Sequence, residues 1–131
     1  MSKQNKILVA EDDVMIRRII GEILEEHYTL AFAEDGSQAV ETAIDFIPDL
    51  ILLDIMMPEK NGFDVCRELR DIISLQKTII IMVTALSDKD SEKMGLKAGA
   101  DDFITKPFNP IELRTKIQLM FRLRDRLLKN G

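Results

Sequence analysis

The chain has 131 residues, of which 46% are hydrophobic and 31% charged, a balance typical of one globular domain that buries a core. Neither an apolar run of the roughly 18 residues that would span a membrane nor a secretory signal is present, so we expect no membrane contact. The net charge of −5 argues against direct nucleic-acid binding, and a single cysteine, Cys66, indicates a reducing, cytoplasmic compartment.

Short, nearly continuous apolar runs alternate with stretches of helical spacing. The runs are residues 6–10, 28–33, 50–53, 78–83 and 102–105, and the second and last are the weaker ones. Such runs are typical of strands buried on both faces of a parallel sheet, and helices must then cover those faces. We predict one domain over residues 1–131. Its class is α/β, with a doubly wound, five-stranded parallel sheet in the flavodoxin-like (βα)5 strand order 2-1-3-4-5.

Polar side chains stand where the predicted strands end. Glu11 and Asp12 follow the first strand, and Asp54 follows the third. Thr84 ends the fourth strand, and Lys106 follows the fifth. Because ligands of an open parallel sheet bind at the carboxyl ends of its strands, we expect these side chains to meet. Neighbouring carboxylates suit Mg²⁺, and phosphoryl transfer needs a nucleophile, a metal and positive charge on the phosphoryl oxygens.

Four segments carry a family resemblance: ILVAEDD, LLDIMMPEKNG, MVTA and GADDFITKPF. In this order and at these separations they resemble the receiver domains of two-component response regulators, over nearly the whole chain. The resemblance implies that Asp54 accepts a phosphoryl group from a phosphohistidine, on a sensor histidine kinase or a phosphotransfer protein. The domain itself would catalyse the transfer and a slow autodephosphorylation, and it is not expected to be an enzyme otherwise.

The resemblance also implies a Mg²⁺ site. Its ligands would be Asp12, Asp54, the backbone carbonyl of Met56 and, through a water molecule, Glu11.

Further roles follow from the same resemblance. Thr84 is similar to the switch hydroxyl that moves onto the phosphoryl group, and Phe103 to the switch aromatic, which in this family is often tyrosine. Lys106 is similar to the ion-pairing lysine, and the Lys106–Pro107 peptide bond is expected to be cis. The response would appear on the face formed by the fourth helix, fifth strand and fifth helix, where receivers commonly dimerise.

Three alternatives compete with this interpretation. A haloacid-dehalogenase-type phosphatase would need an acid two residues after its nucleophile, where this chain has Met56. A nucleotide or flavin binder would need glycines after the first strand, where this chain has three acids. A receiver-like scaffold that is never phosphorylated would not need every expected site residue, and all of them are present.

Other polar residues receive simpler interpretations. We expect Asp13 to cap a helix and His27 to be a structural or surface residue away from the site. The last helix has an apolar stripe interrupted at Arg124, and from about residue 122 it is expected to extend beyond the domain. Such an extension would lead to an output domain after residue 131 or to a dimer partner.

Overall fold

A computed structural model describes residues 4–85 and 89–130. Strands and helices alternate along the chain, with one short 3-10 helix, Ile73–Leu75, after the third helix. The strands are β1 Lys6–Ala10, β2 Thr29–Ala33, β3 Leu50–Asp54, β4 Ile79–Thr84 and β5 Asp102–Thr105. The helices are α1 Val14–Leu24, α2 Gly36–Phe46, α3 Gly62–Arg70, α4 Lys89–Ala98 and α5 Pro110–Asn130.

The five strands form one parallel sheet in the order β2-β1-β3-β4-β5, which confirms the predicted fold class. The two weaker apolar runs are its edge strands, and the continuous runs β3 and β4 are buried throughout. In the register between β3 and β4, Asp54 lies opposite Val83, so Thr84 stands one residue further along the same edge.

Alternate residues of each strand face two separate cores. On one side Leu8 and Ile51 pack with α2 and α3, and on the other side Ile7 and Leu52 pack with α1 and α5. Helices α1, α2, α3 and α5 each bury an apolar face against the sheet, as their helical spacing predicts. The polar ends of the strands are left free of helix cover and can form a site.

Helix caps fix where the chain turns away from this edge. The Asp13 side chain accepts hydrogen bonds from the backbone N–H groups of Met15 and Ile16, which confirms it as the N-cap of α1. Asn61 caps α3 in the same way, with Asp64 N–H as the donor. Helix α1 therefore begins three residues after Glu11, and α3 begins eight residues after Asp54.

The sequence indicates that Arg124 interrupts the apolar stripe of α5, but the structure shows that it does not. The Arg124 guanidinium lies 5.0 Å from the centre of the Phe121 ring and 3.2 Å from a carboxylate oxygen of Asp49 at the start of β3. Its stem therefore continues the stripe while its charge is paired. Within residues 4–85 and 89–130, no helix has the length and apolar character needed to cross a membrane.

Candidate functional site

Three acidic side chains meet at the carboxyl edge of the sheet, because β1 and β3 are neighbours. Glu11 and Asp54 are 2% and 4% exposed, whereas Asp12 is exposed. One carboxylate oxygen of each lies within 4.8 Å of the others. The structure thus brings together the three carboxylates that the sequence placed at strand ends. An all-oxygen donor set of this spacing fits a hard divalent cation such as Mg²⁺.

Lys106 reaches the same cluster from the loop after β5. Its ammonium nitrogen lies 2.6 Å from Glu11 Oε1 and 3.3 Å from Asp54 Oδ2. Its backbone N–H donates to the Thr84 carbonyl oxygen at 2.7 Å, and the Lys106–Pro107 peptide bond is cis. A lysine that would be a solvated surface group elsewhere is here directed into a buried pair of acids.

The negative charge of the cluster exceeds what one lysine offsets. Burial raises the pKa of Glu11, and the neighbouring Asp54 raises it further, although the hydrogen bond from Lys106 lowers it in part. Burial and then Glu11 raise the pKa of Asp12. Burial lowers the pKa of Lys106, but Glu11 and Asp54 outweigh this effect and raise it overall. Protonation of Glu11 and Asp12 is thereby favoured, and an added cation would relieve the repulsion among the carboxylates.

Backbone contacts hold the cluster in place, and sequence reasoning missed two of the residues that make them. The Met56 N–H donates to Asp54 Oδ1 at 3.1 Å. The Gly62 N–H donates to the Ile55 carbonyl at 2.8 Å, and a Cβ on Gly62 would lie 2.7 Å from the Asp54 carbonyl oxygen. In the sequence Gly62 indicates only a turn, because a close tertiary approach leaves no other trace there.

Arg17 is the second residue that was missed as a positioning group. From the first turn of α1 its guanidinium donates to the Glu11 carbonyl oxygen at 2.8 Å and pairs with Glu34 at 3.4 Å. In the sequence Arg17 stands five residues after Asp12, and nothing else there indicates a role at the site. The structure gives that spacing a physical reason, since Arg17 fixes the backbone that carries both acids.

Thr84, Phe103 and Met56 complete the set of predicted site residues. Thr84 is 1% exposed at the end of β4, and Phe103 is half-buried on β5, opposite Met82 in the register. Met56 is 63% exposed beside Asp54. His27 lies at the surface, 3.9 Å from Glu26, at the opposite end of α1 from the acids.

An apolar hollow of about 380 Å³ adjoins the site. It lies between α1 and the loop after β5 and is lined by Ile16, Ile19, Ala85, Lys106, Pro107 and Phe108.

Comparison with known proteins agrees with this geometry. Residues 7–118 match the response regulator receiver domain family, and the chain belongs to that family. The transcriptional regulatory protein ResD of Bacillus subtilis is 39% identical over 122 residues, covering 92% of this chain and 50% of ResD. The transcriptional regulatory protein CpxR of Escherichia coli is 42% identical over 119 residues, covering 90% of this chain and 50% of CpxR.

A solved structure shows the same fold. The chemotaxis protein CheY4 of Vibrio cholerae superposes with a TM-score of 0.86 at 29% identity, covering 88% of this chain and 98% of CheY4. The chain spans about half the length of the curated relatives it matches. It is therefore a response regulator receiver domain.

Proposed function

We propose that Asp54 receives a phosphoryl group from a phosphohistidine of a sensor kinase or phosphotransfer protein. The observation that carries this proposal is the position of the Lys106 ammonium, 3.3 Å from Asp54 Oδ2 and 2.6 Å from Glu11 Oε1. A buried carboxylate with a cation beside it and an open acidic rim has what an in-line phosphoryl acceptor requires.

In the transfer, a carboxylate oxygen of Asp54 forms a bond to phosphorus as the bond from phosphorus to the imidazole nitrogen breaks. The electron pair of the broken bond returns to that nitrogen. The Lys106 ammonium stabilises the charge on the equatorial phosphoryl oxygens, and the Met56 N–H holds Asp54 in orientation. Because the acceptor is the domain's own side chain, the domain turns over no separate substrate, and only slow hydrolysis of the acyl phosphate regenerates Asp54.

Mg²⁺ is the proposed cofactor. Asp12 and Asp54 would hold it directly, Glu11 through water, and Met56 through its backbone carbonyl. When bound, it would supply positive charge to the incoming phosphoryl oxygens and relieve the repulsion among the acids.

Phosphorylation is proposed to act through Thr84 and Phe103 on the face of α4, β5 and α5. On this face Lys116 lies 3.1 Å from Asp102. Asp101 points away from it, to Arg70 at the end of α3, 2.8 Å distant. This face is the proposed site of homodimerisation, and an output domain after residue 131 would explain why the relatives are longer. A single domain is proposed for residues 1–131.

The phosphatase alternative gains no support from the site. A haloacid-dehalogenase-type nucleophile ends the first strand of its sheet, whereas Asp54 ends β3. The residue two positions later, Met56, has no group that transfers protons.

The proposal is tested by incubating the chain with Mg²⁺ and acetyl phosphate and measuring intact mass. We expect a gain equal to one phosphoryl group in the wild type and in Asp45→Asn, an exposed control on α2, but none in Asp54→Asn. Equal labelling of all three proteins would show that Asp54 is not the acceptor. Omitting Mg²⁺ should abolish labelling, and undiminished labelling would contradict the metal's role.

A further inference from the structure

Helix α4 contributes little bulk to the core. Its buried residues, all within the described part of the chain, are the small ones Ser91, Gly95 and Ala98. Its larger apolar residues, Met94 and Leu96, are 46% and 56% exposed. A helix normally attaches to a sheet by inserting large side chains, so the attachment of α4 must depend on side chains that reach it from other elements.

Phe103 is the side chain that reaches the middle of α4. A Cβ built on Gly95 would lie 2.3 Å from Cζ of Phe103, 2.9 Å from its Cε1 and 3.1 Å from Sδ of Met82. Real Cβ atoms do not approach other atoms this closely, so the ring edge occupies the space that a side chain at position 95 would need. Glycine inside a helix is unfavourable relative to alanine, and here the packing of the ring gives a reason for it.

The far end of α4 is held separately. Arg70 of α3 donates from Nε to the Gly99 carbonyl at 2.9 Å and pairs with Asp101 at 2.8 Å. The C-terminal end of α4 is therefore fixed to α3, whereas the middle rests on an aromatic ring that belongs to β5. A rotation of that ring would either open a gap under Gly95 or press on the helix.

We propose that Gly95 is the positioning residue that couples Phe103 to α4. Because Gly95 has no side chain, the Phe103 ring packs directly against the helix, and the packed ring sets the position of the helix over β4 and β5. The regulatory consequence rests on the proposed function, since it makes α4 follow the Phe103 ring when Asp54 is phosphorylated. The packing of Phe103 against Gly95 is a property of the fold and can be tested independently of phosphorylation.

The chain offers a matched control in α1. Gly21 also lies inside a helix against a phenylalanine ring, but a Cβ there would be 3.2 Å from Cζ of Phe32, and Phe32 is 44% exposed. The Phe32 ring can move by the few tenths of an ångström that are needed. Gly21→Ala thus carries the gain in helix propensity without the severe overlap.

The first experiment is a thermal double-mutant cycle with Gly95→Ala and Phe103→Leu, since leucine lacks the Cζ and Cε atoms that overlap. Gly95→Ala should lower the melting temperature by about 5 °C in the wild type. In the Phe103→Leu background it should be neutral or raise the melting temperature, as Gly21→Ala should in the wild type. Equal shifts in melting temperature from Gly95→Ala in both backgrounds would show that Phe103 does not occupy the space beside Gly95.

The second experiment measures the apparent affinity for beryllofluoride, a phosphoryl mimic, in the presence of Mg²⁺. Gly95→Ala should change it by about fivefold or more, and Phe103→Leu in the same chain should largely remove that change, whereas Gly21→Ala should leave it unaltered. If the thermal cycle behaves as expected but Gly95→Ala binds as the wild type does, the coupling is overturned. If the wild type does not bind beryllofluoride at all, the proposed function fails, while the thermal cycle still tests whether Phe103 packs against Gly95.

Discussion

Replacing Lys106 with methionine would remove the ammonium group that contacts the carboxylates of both Glu11 and Asp54. The Lys106 side chain is 18% exposed, and the side chains of Glu11 and Asp54 are 2% and 5% exposed. Removing one partner of a buried ion pair costs about 3–5 kcal/mol, because the remaining charge is left without compensation. The side of the cluster at the exposed Asp12 faces water, which reduces this cost. We therefore expect Lys106→Met to lower the free energy of unfolding by about 3 kcal/mol in the absence of Mg²⁺. This is a large fraction of the roughly 5–15 kcal/mol that stabilises a domain.

Urea unfolding followed by circular dichroism measures this loss, with an unchanged m-value as the sign that both proteins unfold alike. The matched control is Lys116→Met on α5, which breaks the pair with Asp102. Those side chains are 30% and 34% exposed, so about 1 kcal/mol or less should be lost. If Lys106→Met costs no more than Lys116→Met, the acids are not held as a compensated buried cluster. The electrostatic basis of the site would then be wrong.

Three further outcomes are expected. Mg²⁺ at a hundredfold excess over its dissociation constant should add about 2.7 kcal/mol to the free energy of unfolding, and thermal melts of Asp12→Ala should show little of this gain. Gly62→Ala should destabilise the fold by about 2 kcal/mol in urea, because its Cβ would lie 2.7 Å from the Asp54 carbonyl oxygen, and an effect no larger than that of Gly21→Ala would contradict the close approach. Burial raises the pKa of Cys66 to about 11, so its thiol is neutral near pH 7. Alkylation of Cys66 in the folded chain should therefore be slow, and it should become faster as the pH rises towards 11. Intact mass measures the alkylation, and a rate equal to that of the urea-unfolded chain would exclude this prediction.

The fold and the carboxylate cluster were predictable because both follow from short-range patterns. Leu50–Asp54 is an apolar run that ends in an acid, and such a run has to be a buried strand with its charge at the rim. Once the strand order places β1 beside β3, the acids that follow β1 must lie near Asp54. The convergence of Lys106 followed in the same way from its place after β5.

Periodicity was less informative about how far a buried face extends. Ile19 and Ile44 stand at helical spacing from other apolar residues of α1 and α2, yet they are 47% and 48% exposed. A stripe gives the direction of a helix face, but the neighbouring elements decide which of its residues are covered. Ile19 lies beyond the edge of the core and lines the hollow beside Lys106. Arg124 shows the opposite case, because a charged residue packs on Phe121 where the stripe alone indicates a break.

The glycines show most clearly why part of the site could not be read from the sequence. In a single sequence a glycine indicates backbone freedom, and Gly62 stands after a strand, where a turn is expected. The structure gives it another role, since the start of α3 approaches the Asp54 backbone more closely than any side chain would allow. Gly95 is the same case within a helix, where the partner is the Phe103 ring. An alanine at either position would favour the local helix and oppose the tertiary contact, so local propensity and tertiary packing act in opposite directions at these two residues. The backbone of Asp54 and the ring of Phe103 thus each pack against a glycine because it has no side chain, and only three-dimensional proximity reveals such a requirement.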